Sequence, residues 1–159
     1  MPQLIVLPFA NQRIPEAVGG DVRREAHSRL GFDRWSPDSV HLASFGFVDI
    51  RTKRSDLVFE VAAWLAQWGR RVVVHLVGSA NAELERELRD RARDSDIADI
   101  HVTGFVDEQT FRDYLCAVDA RVQPRPSPRL GGSRTLSDLS AFGSPLVVCA
   151  GLCNDVGPP

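Results

Sequence analysis

Residues 71–78, with the sequence Arg-Val-Val-Val-His-Leu-Val-Gly, form an almost unbroken apolar run of strand length. Such a run is typical of a β-strand that other elements cover on both faces, because a strand with one face in water alternates apolar and polar residues. Sheets covered on both faces are usually parallel, and helices connect their strands. This segment therefore points to an α/β fold.

Strand and helix patterns alternate along the rest of the chain. Strands are predicted at 41–46, 71–78, 100–104, 120–123 and 145–149, and the helices between them at 55–68, 82–93, 107–118 and 133–142. A further helix is predicted at 21–30, with Asp21 as its N-cap and Gly31 at its end. This order predicts a doubly wound, mostly parallel, Rossmann-like sheet.

The length bounds the domain organisation. A chain of 159 residues with 43% hydrophobic residues is enough for one domain with a sizeable core. Residues 1–20 contain a short apolar strand candidate at 4–8 and a polar stretch typical of a linker, so we expect the domain itself to span 21–159. The chain stops soon after the last predicted strand, which suggests a C-terminal truncation.

Charge and cysteine usage exclude several classes of function. A net charge of -2 gives no overall positive field, so binding to nucleic acid or to an anionic membrane is not expected. No apolar run is long enough for a transmembrane helix, and no N-terminal leader is apparent. The three cysteines are an odd number, and the four histidines are dispersed along the sequence. We therefore expect a cytoplasmic protein without a metal site.

A glycine turn before the last predicted helix is typical of an anion site. Gly131 and Gly132 allow the backbone to approach a ligand closely, and the helix that follows directs unpaired N–H groups towards it. Ser133 and Thr135 fall in the first helical turn, where a hydroxyl can cap the helix or bind a phosphate oxygen.

The charges around this turn favour the same interpretation. Arg129 and Arg134 flank the glycines, and no carboxylate occurs between Asp119 and Asp138. Arginine can bind phosphate with two parallel hydrogen bonds. Asp138 either accepts hydrogen bonds from ribose hydroxyls or is an ordinary exposed helix residue.

Lys53 is the single lysine among nineteen basic residues. It lies with Arg54 in the loop after the first predicted strand, next to the predicted start of a helix. Cations are unfavourable at a helix N-terminus unless an anion is bound there as well. We therefore predict that Lys53 contacts the phosphates of a nucleotide; the alternative is a solvated loop.

Several segments, taken in order, resemble one enzyme family. They are Ser-Phe-Gly-Phe-Val-Asp at 44–49 with Lys-Arg at 53–54, Leu-Val-Gly at 76–78, Thr-Gly-Phe-Val-Asp at 103–107, Gly-Gly-Ser at 131–133 and Gly-Ser-Pro-Leu-Val at 143–147. This set, over residues 4–156, resembles the C-terminal donor-binding domain of retaining glycosyltransferases of group 1 (family four), which have the GT-B fold. The resemblance implies transfer of a sugar from a nucleoside diphosphate sugar, with the acceptor-binding N-terminal domain missing from this chain.

The resemblance also implies roles for the residues at the predicted site. Gly46 and Lys53 would meet the diphosphate, Gly78, Phe105 and Val106 would border the base, residues 132–135 would hold phosphates, and Asp138 would bind ribose. Lys53 and Arg134 would stabilise the departing diphosphate electrostatically, which needs no metal ion.

One position departs from the family pattern. The family places a first acidic residue, usually Glu, seven or eight residues before the second, and this chain has Gly131 and Leu130 there. This departure favours an alternative hypothesis, a non-catalytic nucleotide- or partner-binding module derived from a transferase half. A dinucleotide-binding oxidoreductase is a weaker alternative, because no G-x-G-x-x-G follows the first strand.

Overall fold

The computed structural model describes residues 19–51, 53–94, 97, 99–124 and 145–148. Within them, the helices are α1 (Gly20–Arg29), a short 3₁₀ helix (Phe32–Arg34), α2 (Leu57–Gln67), α3 (Ala82–Asp94) and α4 (Glu108–Ala117). The strands are β1 (Val40–Phe45), β2 (Val72–Val77), β3 (Asp99–Val102), β4 (Ala120–Gln123) and β5 (Leu146–Val148). The strand predicted at 4–8 and the helix predicted at 133–142 lie outside the described residues.

The strands form one parallel sheet of five, in the order β3-β2-β1-β4-β5. The longest register joins β1 to β2, from Val40 opposite Val72 to Phe45 opposite Val77. From β1 the chain proceeds towards one edge of the sheet, and from β4 it proceeds towards the other. Ligands of such sheets bind in the crevice beyond the carboxyl ends of the strands at this change of direction. The predicted doubly wound parallel sheet is confirmed.

Helices cover the two faces of the sheet. On the first face, α1, α4 and the 3₁₀ helix pack against Ala43, Phe45, Val73 and Val77. On the second face, α2 and α3 pack against Leu42, Val72, Val74, Leu76 and Ile100. Every residue of β2 is buried, as its continuous apolar run predicts.

The helix boundaries differ from the prediction by one or two residues, and two of the starts have a clear physical reason. The N-cap of α1 is Gly19, whose backbone is extended, and Asp21 lies in the first turn of the helix. The prediction of Asp21 as N-cap is therefore wrong; its carboxylate accepts a hydrogen bond from Arg24 instead, at 2.9 Å. Helix α2 begins at Leu57 and not at Ser55, because Ser55 is hydrogen-bonded to Asp49 in the preceding loop.

Helix α1 is attached to α4 and the segment after it by polar contacts. The Arg29 guanidinium donates two hydrogen bonds to the Asp113 carboxylate, at 2.8 and 2.7 Å. Arg23 forms a salt bridge with Asp119, and Nε2 of His27 lies 2.7 Å from the Ala117 carbonyl oxygen. Arg29 holds the pKa of the Asp113 carboxyl below its usual range through its hydrogen bonds. These contacts fix a mostly polar helix against the sheet.

The first face also contains a histidine cluster, which we define as His27, His41, His75 and His101 around Phe32. The rings of His41 and His75 stack on Phe32 at centroid distances of 4.4 and 4.6 Å. Nδ1 of His41 lies 3.0 Å from Nε2 of His75. The histidines are far apart in the sequence, but β1, β2 and β3 are neighbours and His75 is directly opposite His101. The four histidines therefore cluster in space, although their separate positions in the sequence do not indicate it.

Burial keeps the inner members of this cluster neutral. It lowers the pKa of His41 to about 4 and the pKa of His75 well below its ordinary value. The pKa of His101 is also lowered, mainly by burial. An uncharged imidazole packs against Phe32 without the desolvation penalty that an imidazolium would carry. The packing of this core therefore requires that these histidines are uncharged.

As the pH is lowered, we expect the free energy of unfolding to fall at a higher pH than that at which the carboxylates titrate. The unfolded chain binds protons on His41 and His75 near pH 6.5, whereas the folded chain does not until far lower pH. Stability is therefore complete above pH 6.5 and falls as the pH drops from there towards 4. His41 alone contributes a loss on the order of 2 kcal/mol by pH 5.

Urea unfolding at pH 8, 7, 6 and 5 measures this loss. The variant His75→Phe keeps an aromatic ring in the stack and removes one titrating group, so its stability should depend less steeply on pH between 7 and 5. A wild-type free energy of unfolding that is the same at pH 7 and pH 5 would contradict the expectation.

Candidate functional site

The chain makes a glycine turn after each of three strands at the carboxyl edge of the sheet. Gly46 follows β1 with φ +99°, Gly78 follows β2 with φ +157°, and Gly104 follows β3 with φ +72°. Residues with a β carbon rarely adopt the positive φ of Gly46 and Gly104. The glycines predicted at 46 and 78 therefore lie at neighbouring strand ends.

The turns after β1 and β2 pack with their backbones in contact. A β carbon built on Gly78 would lie 1.9 Å from the carbonyl oxygen of Gly46, which no real side chain tolerates. The Gly46 N–H donates to the Val77 carbonyl at 2.9 Å, and the Val48 N–H donates to the Ser79 carbonyl at 3.0 Å. Pairing between the two chain segments thus continues beyond the ends of the strands.

Two buried or half-buried polar side chains tie the neighbouring segments to this pair of turns. The hydroxyl of Thr103 accepts a hydrogen bond from the Gly78 N–H at 3.1 Å. The Gln123 amide bonds both backbone groups of Phe45, accepting from its N–H and donating to its carbonyl, each at 3.2 Å. Gln123 thereby acts as an additional rung between β1 and β4. The sequence signal, a polar residue at the end of an apolar strand, was available but was not assigned this role.

Lys53 places its ammonium group at this edge. A β carbon built on Gly46 would lie 3.1 Å from Nζ of Lys53, so the lysine fills the space that the glycine leaves. The described residues provide no salt-bridge partner for Lys53, whereas Arg54 beside it is bonded to the Asp56 carboxylate at 3.0 Å. Asp56 is the N-cap of α2, and Lys53 precedes it. The ammonium therefore lies near Gly46, at the end of β1.

Aromatic side chains are exposed at the same edge. Phe105, in the turn after β3, is 93% exposed, and Phe47, next to Gly46, is 60% exposed. Val106 is half-buried and packs against the core of the first face. Of the three residues predicted to border the base, Gly78, Phe105 and Val106, the structure thus presents the Phe105 side chain to solvent. Phe47 was not among the predicted residues.

The described part of the chain brings Gly46, Lys53 and Gly78 together. Phe105 and Val106 are described in the turn after β3, and the remaining predicted site residues lie outside the described part: Arg129, Gly131, Gly132, Ser133, Arg134, Thr135 and Asp138. Their roles remain predictions from the sequence.

Within the described ranges, no group of three or more His, Cys, Asp or Glu side chains is arranged to hold a metal ion. The histidine cluster is not such a group; His41 and His75 bond each other, His101 lies beside the Tyr114 hydroxyl, and His27 lies beside a backbone carbonyl. None of the helices described is long and apolar enough to cross a membrane.

The fold is an open parallel α/β sheet that matches one Rossmann-like half of a GT-B fold. A solved structure with a similar fold is the C-terminal domain of a glycosyl transferase group 1 family protein, LpcC, from Francisella tularensis. The TM-score is 0.62 at 19% sequence identity, over 86% of this chain and 68% of that chain. No protein-family model matches the sequence, and no curated protein matches it. The similarity establishes the fold.

Gly78→Ala tests the backbone contact between the two turns. Because its β carbon would overlap the Gly46 carbonyl, the substitution must displace one turn, and we expect a destabilisation of more than about 3 kcal/mol. The control is Gly69→Ala, where φ is +72° and nothing lies within 4 Å of the added carbon; conformational strain alone predicts a loss of about 1–2 kcal/mol there. Equal losses in chemical denaturation would show that the contact is not tight.

Proposed function

We propose that this chain is the donor-binding half of a glycosyltransferase, which binds a nucleoside diphosphate sugar at the carboxyl edge of its sheet. The single observation that carries the proposal is the Lys53 ammonium on Gly46 at the end of β1. A cation without a carboxylate partner among the described residues is suited to an anionic ligand. The fold similarity to the LpcC domain supports the same assignment.

Electrostatics would supply the chemistry of this half. When the bond between sugar and diphosphate breaks, negative charge develops on the leaving diphosphate, and a positioned cation stabilises it. Lys53 would be one such cation, and Arg134 is proposed as the second. The N–H groups at the start of the predicted helix 133–142 would bind the phosphates, beside Gly131, Gly132 and Arg129. This arrangement requires no metal ion.

The remaining parts of the proposal come from the sequence. Phe105 and Gly78 would border the base, Asp138 would bind ribose, and transfer would retain the anomeric configuration. The acceptor would bind to a separate N-terminal domain, so we propose that residues 1–159 bind nucleotide but transfer no sugar alone. The cysteine usage favours the cytoplasm as the place of action.

A second candidate is a non-catalytic nucleotide- or partner-binding module. It is favoured by Gly131 and Leu130, which stand where the resembling family has an acidic residue beside the donor sugar. Removal of one preorganised group at a reacting centre lowers rates by about 10²–10³. Both candidates predict nucleotide binding, and only the first predicts transfer once an acceptor domain is supplied.

Calorimetric titration with UDP, GDP and ADP tests nucleotide binding. We expect the wild type to bind at least one of the three, and Lys53→Ala to bind it about 10- to 100-fold more weakly, because a charge-assisted hydrogen bond contributes about 1.5–3 kcal/mol. Arg70→Ala is the matched control, since Arg70 is an exposed cation at the opposite edge of the sheet, before β2. Its affinity should equal that of the wild type.

Two results would overturn the proposal. One is the absence of measurable binding for all three nucleotides. The other is equal affinity of the wild type and Lys53→Ala, which would place the ligand elsewhere.

A further inference from the structure

The loop that carries Lys53 is closed at its base by a pair of hydrogen bonds. The Asp49 N–H donates to the Ser55 hydroxyl at 3.1 Å, and the Ser55 N–H donates to the Asp49 carbonyl at 3.1 Å. Asp49 and Ser55 therefore pair with each other at the base of the loop that carries Lys53. Ser55 is 3% exposed, so water cannot replace its hydroxyl.

Further hydrogen bonds lie on both sides of Lys53 in this loop. The Asp49 carboxylate accepts from the Arg51 N–H at 3.1 Å, which orders the first half of the loop. Arg54 adopts a left-handed conformation with φ +49°, unusual for a residue with a β carbon. Its guanidinium bonds Asp56 through two nitrogens, at 3.0 Å each. The backbone reverses its course at Arg54 and enters α2.

This geometry determines where the lysine ammonium lies. A lysine side chain has four rotatable bonds and loses considerable rotamer entropy when held in one place. Nζ of Lys53 nevertheless lies 3.1 Å from the position that a β carbon on Gly46 would occupy. The Asp49–Ser55 pair closes the loop that carries Lys53, and the Ser55 hydroxyl contributes the side-chain bond of that pair.

We propose that Ser55 is a positioning residue, which holds Lys53 over Gly46 and so preorganises the diphosphate site. This inference rests on the proposed function for the identity of the ligand. The position of the lysine can be measured without any ligand, so the two proposals fail separately.

The ligand-free test uses the fact that Lys53 is the only lysine of the chain. Protein labelled with ¹³C at lysine Cε gives a single side-chain signal, and its order parameter reports how firmly the ammonium is held. We expect restricted motion in the wild type, values of a free side chain in Ser55→Ala, and recovery in Ser55→Thr, which retains the hydroxyl. The control is Ser36→Ala, where a hydroxyl also accepts from a backbone N–H, that of Asp38, but at the opposite edge of the sheet.

The ligand test is a double-mutant cycle with whichever of UDP, GDP and ADP binds the wild type. We expect Ser55→Ala to weaken binding about 5- to 10-fold when Lys53 is present and less than about 2-fold in the Lys53→Ala background. A serine that only stabilises the fold would change affinity equally in both backgrounds. If the methyl signals of Ser55→Ala lose their dispersion, the variant is unfolded. Ser55→Cys then replaces it, since a thiol is a weaker acceptor.

Each result decides one of the two proposals. A lysine signal that is mobile in the wild type, or that Ser55→Ala leaves unchanged, overturns the positioning role of Ser55. Additive effects in the cycle also overturn it. A restricted lysine in a protein that binds none of the three nucleotides supports the positioning role and overturns the proposed ligand.

Discussion

The contact between the Gly46 carbonyl and the α carbon of Gly78 is the constraint on which the candidate site depends. It brings the turns after β1 and β2 so close that neither a side chain nor water can separate them. Hydrogen bonds from Gly46 and Val48 then extend the strand pairing into these turns. On this base the loop closed by Asp49 and Ser55 presents an ammonium at the carboxyl edge. Backbone contacts thus set the shape of the candidate site, and the Lys53 ammonium supplies its charge.

The two faces of the sheet have different chemistry. The second face is covered by the apolar side of α2 and by α3, with an aliphatic core around Val74 and Leu76. The first face holds the histidine cluster and a buried arginine, Arg121, whose pKa burial lowers to about 10. Polar aromatic rings pack as well as hydrocarbon only while they are uncharged. The stability of the first face is therefore linked to the protonation of its histidines.

Periodicity and glycine positions were sufficient to predict the parallel sheet and the edge where Gly46, Lys53 and Gly78 meet. They were insufficient for contacts that depend on register or on loop conformation. The pairing of His75 with His101 requires knowledge that β2 and β3 are neighbours, and the bonds of Gln123 to Phe45 require β4 beside β1. Ser55 was predicted as the first residue of a helix, and only the bond from Asp49 places it in the loop. The local sequence pattern determines which segments form helices and strands, and tertiary contacts determine where those helices and strands begin and end.

The attachment of α1 has a consequence for the order of assembly. Arg29 bonds Asp113, a residue that follows it by 84 positions, so the helix is synthesised long before its partner exists. At about 5–20 residues per second the delay is on the order of ten seconds. A polar helix of ten residues is marginal in water by itself. On a ribosome, α1 must therefore remain an unattached segment until α4 and residues 117–119 have been synthesised.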